Sequence, residues 1–388
     1  MQLNSRLIVF SLMLLLGGGA LTYGLFHDAW EKQPTYYGPN DRVIISLGAV
    51  TASLGLVFLA GERLGLHRRG VLGARVRAFD ALAVGAFVAL AGVATGMFLF
   101  HQTSGDESYQ NKEFAIGIYQ APQEAPLQFS GAGIKNPVLT RNSMPDLEIR
   151  CVADPFLVSE GDSLYLFYEA LEAVTGQGVI AVATSADGKV WEYKAIVLDE
   201  PFHLSYPCVF KWEGRYYMIP EAATTRSVRL YRAVKFPYRW EFVKKLIDQD
   251  DKLFKDNTIF EYGGRWWLFS ETMGNRVLRL YYAHTPLGPW TEHPKSPVVN
   301  GNPEIARPGG SVVEMGGHLY RFAQDDAKYY GRQVWAIEIT KLSPTEYEEK
   351  KLRSRPVLKG FEPWNRRGMH HLCPIKTPDG WIAAVDGY

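Results

Sequence analysis

The sequence predicts an all-β five-bladed propeller over residues 113–388, preceded by an α-helical membrane anchor over residues 1–100. A hairpin pattern that recurs five times predicts the propeller, and three apolar runs before it predict the anchor. The repeats begin at Asp154, Tyr206, Asp256, Arg307 and His371, in steps of 52, 50, 51 and 64 positions. An all-β repeat of about 40–50 residues is typical of a propeller blade.

The apolar runs cover residues 7–26, 43–61 and 81–100, and none contains a charged side chain. Each has about the length of a helix that spans a bilayer core; a cleaved signal peptide is the alternative for the first. Loop 62–80 carries five arginines, whereas loop 27–42 carries one lysine and one arginine. The positive-inside rule then places loop 62–80 in the cytoplasm. We therefore expect an integral membrane protein with three transmembrane helices, a short linker over 101–112 and an extracytoplasmic propeller.

The first repeat shows how each hairpin is built. Residues 156–158 are a short apolar strand, 159–162 a turn, and 164–168 a strand rich in β-forming residues. Asp154 stands just before the first strand, and Glu169 ends the second. Two further strand-like runs follow in each complete repeat, so we expect blades of four antiparallel strands.

The fifth repeat has only two strands before Tyr388. Residues 114–140 resemble the second half of the other repeats, with a strand-like run at 114–119. We expect 114–140 to complete the fifth blade, which would close the ring without a free edge. The longer step before this repeat contains 359–369, predicted to be a loop over one face.

Net charge and cysteine content limit the classes of partner and site to expect. The net charge of +1 gives no reason to expect a nucleic-acid partner. The three cysteines, at positions 151, 208 and 373, cannot form a fully paired disulfide framework, so buried thiols are expected. No pattern indicates a cofactor. A metal site is a minor alternative, because acids converge with His370 and His371, but no tight metal-ligand spacing supports it.

Polar residues hold equivalent positions where the blades approach the central channel. The first strand of each blade lines that channel, so the five repeat starts should meet at one mouth. The ends of the second strands add Glu169, Glu221, Glu271, Gln324 or Asp325, and Asp386. A single such acid is usually a turn cap or a surface charge, but the set favours a ligand site. The alternative is a hydrated structural channel whose acids bridge neighbouring blades.

These residue types suit carbohydrate chemistry. Cleavage of a glycosidic bond uses two carboxyl groups, one as base or nucleophile and the other as acid. Arg307, His371 and Tyr206 could hold hydroxyls or an anionic group. The remaining predicted substrate-binding residues are Glu169, Asp325, His370 and Asp386.

Two motifs resemble those of five-bladed furanosidase-type glycosidases. Residues 153–155, Ala-Asp-Pro, resemble the Asp-Pro that opens their first blade, and 255–257, Lys-Asp-Asn, resemble the site of a second, transition-state-stabilising Asp. The resemblance implies that Asp154 is base or nucleophile and Asp256 the stabiliser. Their Glu acid has no match here, which leaves Glu221 or Glu271 as candidate acid.

A closer resemblance covers nearly all of 113–388. It is to the N-terminal propeller domain of plant glucosamine inositolphosphorylceramide transferases. The shared segments are Phe114–Tyr119, Ala153–Phe156, His203–Pro207, Pro286–Trp290, Gly317–Arg321 and Met369–Leu372. This resemblance implies the fold and a link to glycan or glycolipid metabolism. A glycosyltransferase domain follows the propeller in the plant proteins, so the resemblance does not carry their transferase activity over to residues 113–388.

Two functions remain open, so the sequence does not decide whether the chain is an enzyme. The first is a membrane-anchored carbohydrate-active enzyme that cleaves or transfers a glycosyl unit on a surface glycan or glycolipid. The second is a non-catalytic glycan-binding propeller that assists a separate glycosyltransferase. A protein-interaction scaffold would fit the fold but not the polar channel.

Overall fold

The computed structural model describes residues 112–145, 147–352 and 355–388. In these residues the strands form five antiparallel sheets, one for each predicted blade. The five-bladed propeller is thereby confirmed. The runs at 7–26, 43–61 and 81–100 lie outside the described residues. Within 112–145, 147–352 and 355–388, no helix has the length and apolar character needed to cross a membrane.

Two blades follow the predicted four-strand pattern. Strand β1 (Ala115–Ala121) comes first in the chain but belongs to the last blade. Blade I consists of β2 (Ile149–Glu160), β3 (Ser163–Glu172), β4 (Gly178–Ser185) and β5 (Glu192–Leu198). Blade II consists of β6 (Ser205–Trp212), β7 (Arg215–Glu221), β8 (Ser227–Lys235) and β9 (Arg239–Asp248). Short 3-10 helices occupy Arg141–Ser143 and Ala223–Thr225.

Blades III and IV have interrupted strands. Blade III consists of β10 (Lys255–Tyr262), β11 (Arg265–Glu271), β12 (Val277–Ala283), β13 (Thr291–Glu292) and β14 (Val299–Asn300). Blade IV consists of β15 (Arg307–Pro308), β16 (Val313–Met315), β17 (His318–Gln324), β18 (Gln333–Leu342), β19 (Tyr347–Lys351) and β20 (Leu358–Lys359). In each of these blades, the outer edge consists of two short strands. Strands β13 and β14 pair with β12 in blade III, and β19 and β20 pair with β18 in blade IV.

Blade V joins the two ends of the propeller. It consists of β21 (Leu372–Thr377), β22 (Gly380–Gly387) and β1, in the order β1-β22-β21. The register runs from Ala115 opposite Gly387 to Ala121 opposite Trp381. Beyond β1, the chain adds only two isolated bridges, at Leu139 and Ser130. The prediction that 114–140 complete this blade is confirmed, with a fourth strand reduced to these bridges.

The innermost strands of the first three blades share a β-bulge. The pairing register shifts between Ala153 and Phe156, between Ser205 and Cys208, and between Lys255 and Thr258. One residue in each bulge has left-handed backbone geometry: Asp154 (φ 53°), Tyr206 (φ 47°) and Asp256 (φ 47°). The prediction that Asp154 precedes its strand is wrong, because β2 begins at Ile149 and continues through the bulge. Bulges re-aim side chains and are common beside functional sites.

Candidate functional site at the channel mouth

Hairpin registers bring the predicted residue pairs together. Ala153 faces Glu169, Ser205 faces Glu221, Lys255 faces Glu271, and Arg307 faces Gln324. The repeat start therefore lies beside the end of the second strand in each of these blades. In blade IV the paired residue is Gln324 and not Asp325.

Asp154 lies at the junction of blades I and V. Its backbone N–H donates to Asp386 Oδ2 at 3.0 Å. Its Oδ1 lies 3.7 Å from His371 Nδ1 and 3.9 Å from His370 Nδ1, and 7% of its side chain is exposed. Burial alone would raise the pKa of Asp154, but the two imidazoles and Arg307 outweigh it and lower that pKa. Asp154 is therefore a carboxylate that is buried except for a small part of its side chain.

Asp386 ties blade V to blade I. Its Oδ1 accepts hydrogen bonds from His370 Nδ1 at 2.9 Å and from the backbone N–H groups of His370 and His371. Burial opposes the imidazolium, yet Asp386 raises the pKa of His370. Ligand atoms of Asp154, His370 and Asp386 lie within 4.8 Å of one another, as a metal site would require. Three N–H donors already occupy Asp386 Oδ1, so the arrangement favours a hydrogen-bonded cluster.

Asp256 forms the second charged centre. Its Oδ2 accepts from Arg307 Nε and from Gln324 Nε2, both at 2.6 Å. Burial raises the pKa of Asp256, and the charges of Glu221 and Asp154 add to the rise, whereas the Arg307 guanidinium in direct contact opposes it. The charge of Asp256 in turn holds the pKa of Arg307 well above its usual range, although burial opposes it. Arg307 and Asp256 are thus in ion-pair contact.

Arg307 links this centre to three further residues. Its Nη1 donates to Asn275 at 3.3 Å, and its Nη2 lies 3.8 Å from Glu221 Oε2. The ring of Tyr330 covers the guanidinium carbon at 5.1 Å. Burial raises the pKa of Tyr330 well above its usual value, and the charges of Asp154 and Asp256 add to the rise. Tyr330 is thus within electrostatic reach of both charged centres.

Glu169 and His203 line the mouth between blades I and II. Glu169 Oε1 lies 3.4 Å from His203 Nε2, and His203 Nδ1 accepts from the Gly178 backbone N–H at 2.9 Å. Acceptance at Nδ1 places the proton on Nε2. Burial lowers the pKa of His203 to about 4, with the charge of Asp154 opposing it. His203 is therefore a neutral imidazole with a third of its side chain exposed.

Tyr206 lies below the mouth and crosses the channel. Its hydroxyl donates to the Gly310 carbonyl at 2.9 Å, accepts from the Gly310 N–H at 2.8 Å, and is 2.8 Å from Thr258 Oγ1. The side chain is fully buried, and its ring packs edge-on against Phe156 and His371. The hydroxyl hydrogen-bonds to groups of the protein on both its donor and its acceptor side. This arrangement favours a structural role over the predicted contact with substrate.

Other predicted residues are engaged within the protein. Glu221 Oε2 accepts from the Asp256 backbone N–H at 3.0 Å, as Asp386 does from Asp154. Glu271 is fully buried, and its Oε1 accepts from the Met273 N–H at 2.5 Å. Asp325 Oδ2 accepts from Gln333, Trp335 and Arg332. The structure thus brings together Asp154, Asp256, Glu221, Arg307, His370, His371 and Asp386. Asp325 instead bonds β18 and the loop that precedes it.

Sequence patterns did not identify Tyr330, His203 or Asp326 as site residues. Tyr330 and Asp326 belong to the loop between β17 and β18, which has no fixed place in the repeat. The adjacent acids Asp325 and Asp326, directly after a strand, were the available signal. His203 lies in a segment shared with the plant transferases, which was a signal for its importance but not for its position.

Comparison with known proteins places the chain in a family. Residues 121–388 match the family described as glucosamine inositolphosphorylceramide transferase 1, N-terminal. The chain belongs to this family. A glucosamine inositolphosphorylceramide transferase 1 from Oryza sativa subsp. japonica is 39% identical over 298 residues, 71% of this chain and 40% of the rice protein. The glucosamine inositolphosphorylceramide transferase 1 from Arabidopsis thaliana is 39% identical over 267 residues, 66% of this chain and 34% of the Arabidopsis protein. The chain therefore spans about two fifths or less of these relatives.

Solved structures with a similar fold include glycoside hydrolases. Zg3597, a family 117 enzyme from Zobellia galactanivorans, has 16% identity and a TM-score of 0.44, over 61% of this chain and 84% of its own. A putative glycoside hydrolase from Parabacteroides distasonis has 11% identity and a TM-score of 0.48, over 66% and 95%. Similarity at this level carries no inference about the chemistry of the mouth.

Proposed function

We propose that this family member is a carbohydrate-active propeller whose channel mouth cleaves or transfers a glycosyl unit on a glycan or glycolipid. The observation that carries the proposal is Asp154, a carboxylate that lies beside two imidazoles and keeps 7% of its side chain exposed. A base or nucleophile in glycosyl chemistry must be ionised and must reach the substrate. Its left-handed backbone geometry is the kind of local strain that often marks functional residues.

Asp256 supplies the second requirement of this chemistry, a fixed negative charge. Arg307 and Gln324 hold both its position and its ionisation. A preorganised charge stabilises the positive charge that develops on the sugar ring in the transition state. Asp154 would act as base or nucleophile and Asp256 as stabiliser.

The family suggests the substrate class. The plant relatives are named for transfer involving glucosamine and inositolphosphorylceramide, a phosphate-containing lipid. We propose a glycan or a glycosylated lipid as the substrate of this chain. A membrane anchor over 1–100 and an extracytoplasmic propeller, supported by the three apolar runs and the arginines of 62–80, would place the site where such lipids occur.

Glycan binding without catalysis is the second candidate, and a specific observation favours it. Glu221 and Asp386 each accept a backbone N–H from the next blade, so two mouth acids hold the ring together. In that case the propeller would present a glycan to a separate glycosyltransferase.

Asp154→Asn in the full chain distinguishes these candidates. Catalysis predicts that turnover per folded molecule falls about 10²–10⁴-fold, because general base catalysis contributes about that much, whatever the change in melting temperature. Binding alone predicts weaker retention on a glycan array and no product from either protein. Asp162→Asn, in the exposed turn at the other end of the same hairpin, is the matched control. Lower melting with wild-type binding and turnover per folded molecule would contradict both candidates for Asp154.

A further inference from the structure

The loop between β17 and β18, residues 325–332, carries a carboxyl group in an unusual setting. Asp326 is half-buried, and its Oδ1 accepts from the Gly331 N–H at 2.8 Å. Its Oδ2 is buried and has no hydrogen-bond partner among the residues that the structure describes. A charged oxygen in that position would lose its hydration without replacement. The setting therefore favours a neutral carboxylic acid.

Surrounding charges give Asp326 and Asp154 opposite character. Burial raises the pKa of Asp326, and the carboxylate of Asp256 adds to the rise. Arg307, His370 and the Gly331 N–H oppose the rise without cancelling it. The pKa of Asp154 is lowered. Two carboxyl groups whose environments shift their pKa values apart are the usual mark of an acid and a base.

The same loop lies against the charged centres of the mouth. Tyr330 covers the Arg307 guanidinium at 5.1 Å and meets the His370 ring edge-on at 5.3 Å. Asp326 is also anchored through its backbone N–H, which donates to the Pro303 carbonyl at 3.0 Å. Glu221 is less suitable, because its Oε2 accepts the Asp256 N–H and lies 3.8 Å from Arg307 Nη2. Glu271 also has one bonded and one unpartnered oxygen, but it is fully buried, whereas Asp326 is half-buried.

We propose that Asp326 is the proton donor of the glycosyl-transfer site, an inference that rests on the proposed function. Asp326 Oδ2 gives its proton to the glycosidic oxygen while the bond from that oxygen to the anomeric carbon breaks. The leaving group departs as a neutral alcohol and keeps the electron pair of the broken bond. Water or an acceptor hydroxyl bonds to the anomeric carbon and gives its proton to Asp154. Solvent then returns a proton to Asp326 and removes the one on Asp154.

Oδ2 must turn toward the mouth for this step. Catalytic contacts often form only in the substrate complex. The neighbouring residues 327–329, at the tip of the loop, are exposed.

The test compares leaving groups in Asp326→Asn of the full chain. The probes are 2,4-dinitrophenyl glycosides, whose leaving group needs no proton, and methyl glycosides of the same sugars, whose leaving group does. We expect kcat/KM to fall about 10²–10⁴-fold on methyl glycosides and to stay near wild type on dinitrophenyl glycosides. The alkaline limb of the wild-type pH profile should be seen only with methyl glycosides. Lys328→Ala, at the exposed tip of the same loop, should match wild type on both.

Each alternative result has a distinct meaning. An equal loss on both substrates shows a structural role for Asp326, and no loss on either shows no role; both overturn the inference while leaving the proposed function intact. If wild type turns over neither substrate, the catalytic proposal falls and the proton-donor role falls with it.

Discussion

At the scale of single residues, the mouth is built from charges that depend on one another. His370 is fully buried, and its imidazolium is stabilised by Asp386 and, at longer range, by Asp154. A histidine whose pKa is raised on folding binds its proton more tightly in the folded state. Its contribution to stability is therefore fully present below the unfolded pKa of about 6.5 and is lost as the pH rises through the folded pKa.

His370→Asn tests this dependence. Asparagine keeps a donor for Asp386 but cannot become charged, so its stability should lack the histidine's pH dependence. The melting temperature of wild type should exceed that of the variant most below about pH 6.5, and the difference should shrink toward alkaline pH. Circular dichroism melts at a series of pH values measure it. His284→Asn, at an exposed position, should track wild type throughout. A melting-temperature difference that does not change with pH would show that Asp386 does not raise the pKa of His370.

At the scale of elements, one side chain joins three blades across the channel. Tyr206 of blade II contacts Thr258 of blade III and Gly310 of blade IV through its hydroxyl. Gly310 has φ 128°, and a Cβ there would lie 1.9 Å from the Leu372 carbonyl oxygen. Only glycine allows the backbone to approach blade V so closely, and this places its N–H and carbonyl where the tyrosine reaches them.

Tyr206→Phe should lower the free energy of unfolding without changing the arrangement of side chains at the channel mouth. The Gly310 N–H and carbonyl would stay buried and lose their partner, at a cost of about 1–3 kcal/mol. Chemical denaturation followed by near-ultraviolet circular dichroism measures the loss. Tyr238→Phe, with an exposed side chain, controls for removal of a hydroxyl and should change stability by less than about 0.5 kcal/mol. Unchanged stability with impaired glycan binding would instead support the contact with substrate expected from sequence.

The sequence predicted the parts of the fold that repeat. The spacing of Asp154 and Glu169 fixes a hairpin length, and the same spacing in other blades predicts which residues face one another. The run at 114–119 belongs to no complete repeat, and the fifth repeat has only two strands. Together these two observations predicted that both ends of the propeller share one blade. Alternation of apolar residues contains no information on a bulge, so the left-handed geometry of Asp154 and Asp256 could not be predicted.

The missed parts of the site depend on contacts between blades. Tyr330 reaches Arg307 from a loop whose length is unrelated to the repeat, and the Asp326 carboxyl depends on burial by distant residues. Glu221 and Asp386 were predicted at the mouth, but their bonds to the next blade's backbone became visible only with the register of both blades. The alternative in which acids bridge blades is thus correct for these two residues.

At the scale of the whole molecule, the ring is closed by the strand that begins the propeller. Strand β1 pairs with β22 along its whole length. Lys112, just before β1, donates to the Tyr388 hydroxyl and to the Tyr330 carbonyl, and is 3% exposed. The first and last residues of the propeller therefore meet beside the loop that carries Asp326. Any chain preceding residue 112 leaves the propeller at this point.

The proposed extracytoplasmic placement can be tested by thiol labelling, because the three native cysteines are buried. No disulfide joins Cys151, Cys208 and Cys373, and all three are buried. Burial raises the pKa of Cys208 to about 12 and also raises that of Cys373. Since the thiolate is the reactive form, a cysteine introduced at an exposed position should dominate labelling. Val174 is suitable, with 79% of the residue exposed in the turn after β3.

We expect Val174→Cys in the full chain to react with a membrane-impermeant maleimide in intact cells, and the unmodified chain not to react. Gly70→Cys, in the loop expected to be cytoplasmic, should react only after the membrane is permeabilised. Both variants should react equally in detergent, which controls for access to each thiol. If Val174→Cys requires permeabilisation and Gly70→Cys does not, the orientation is reversed. In that case the arginines of loop 62–80 do not set the topology, and the site would meet cytoplasmic glycans or lipids.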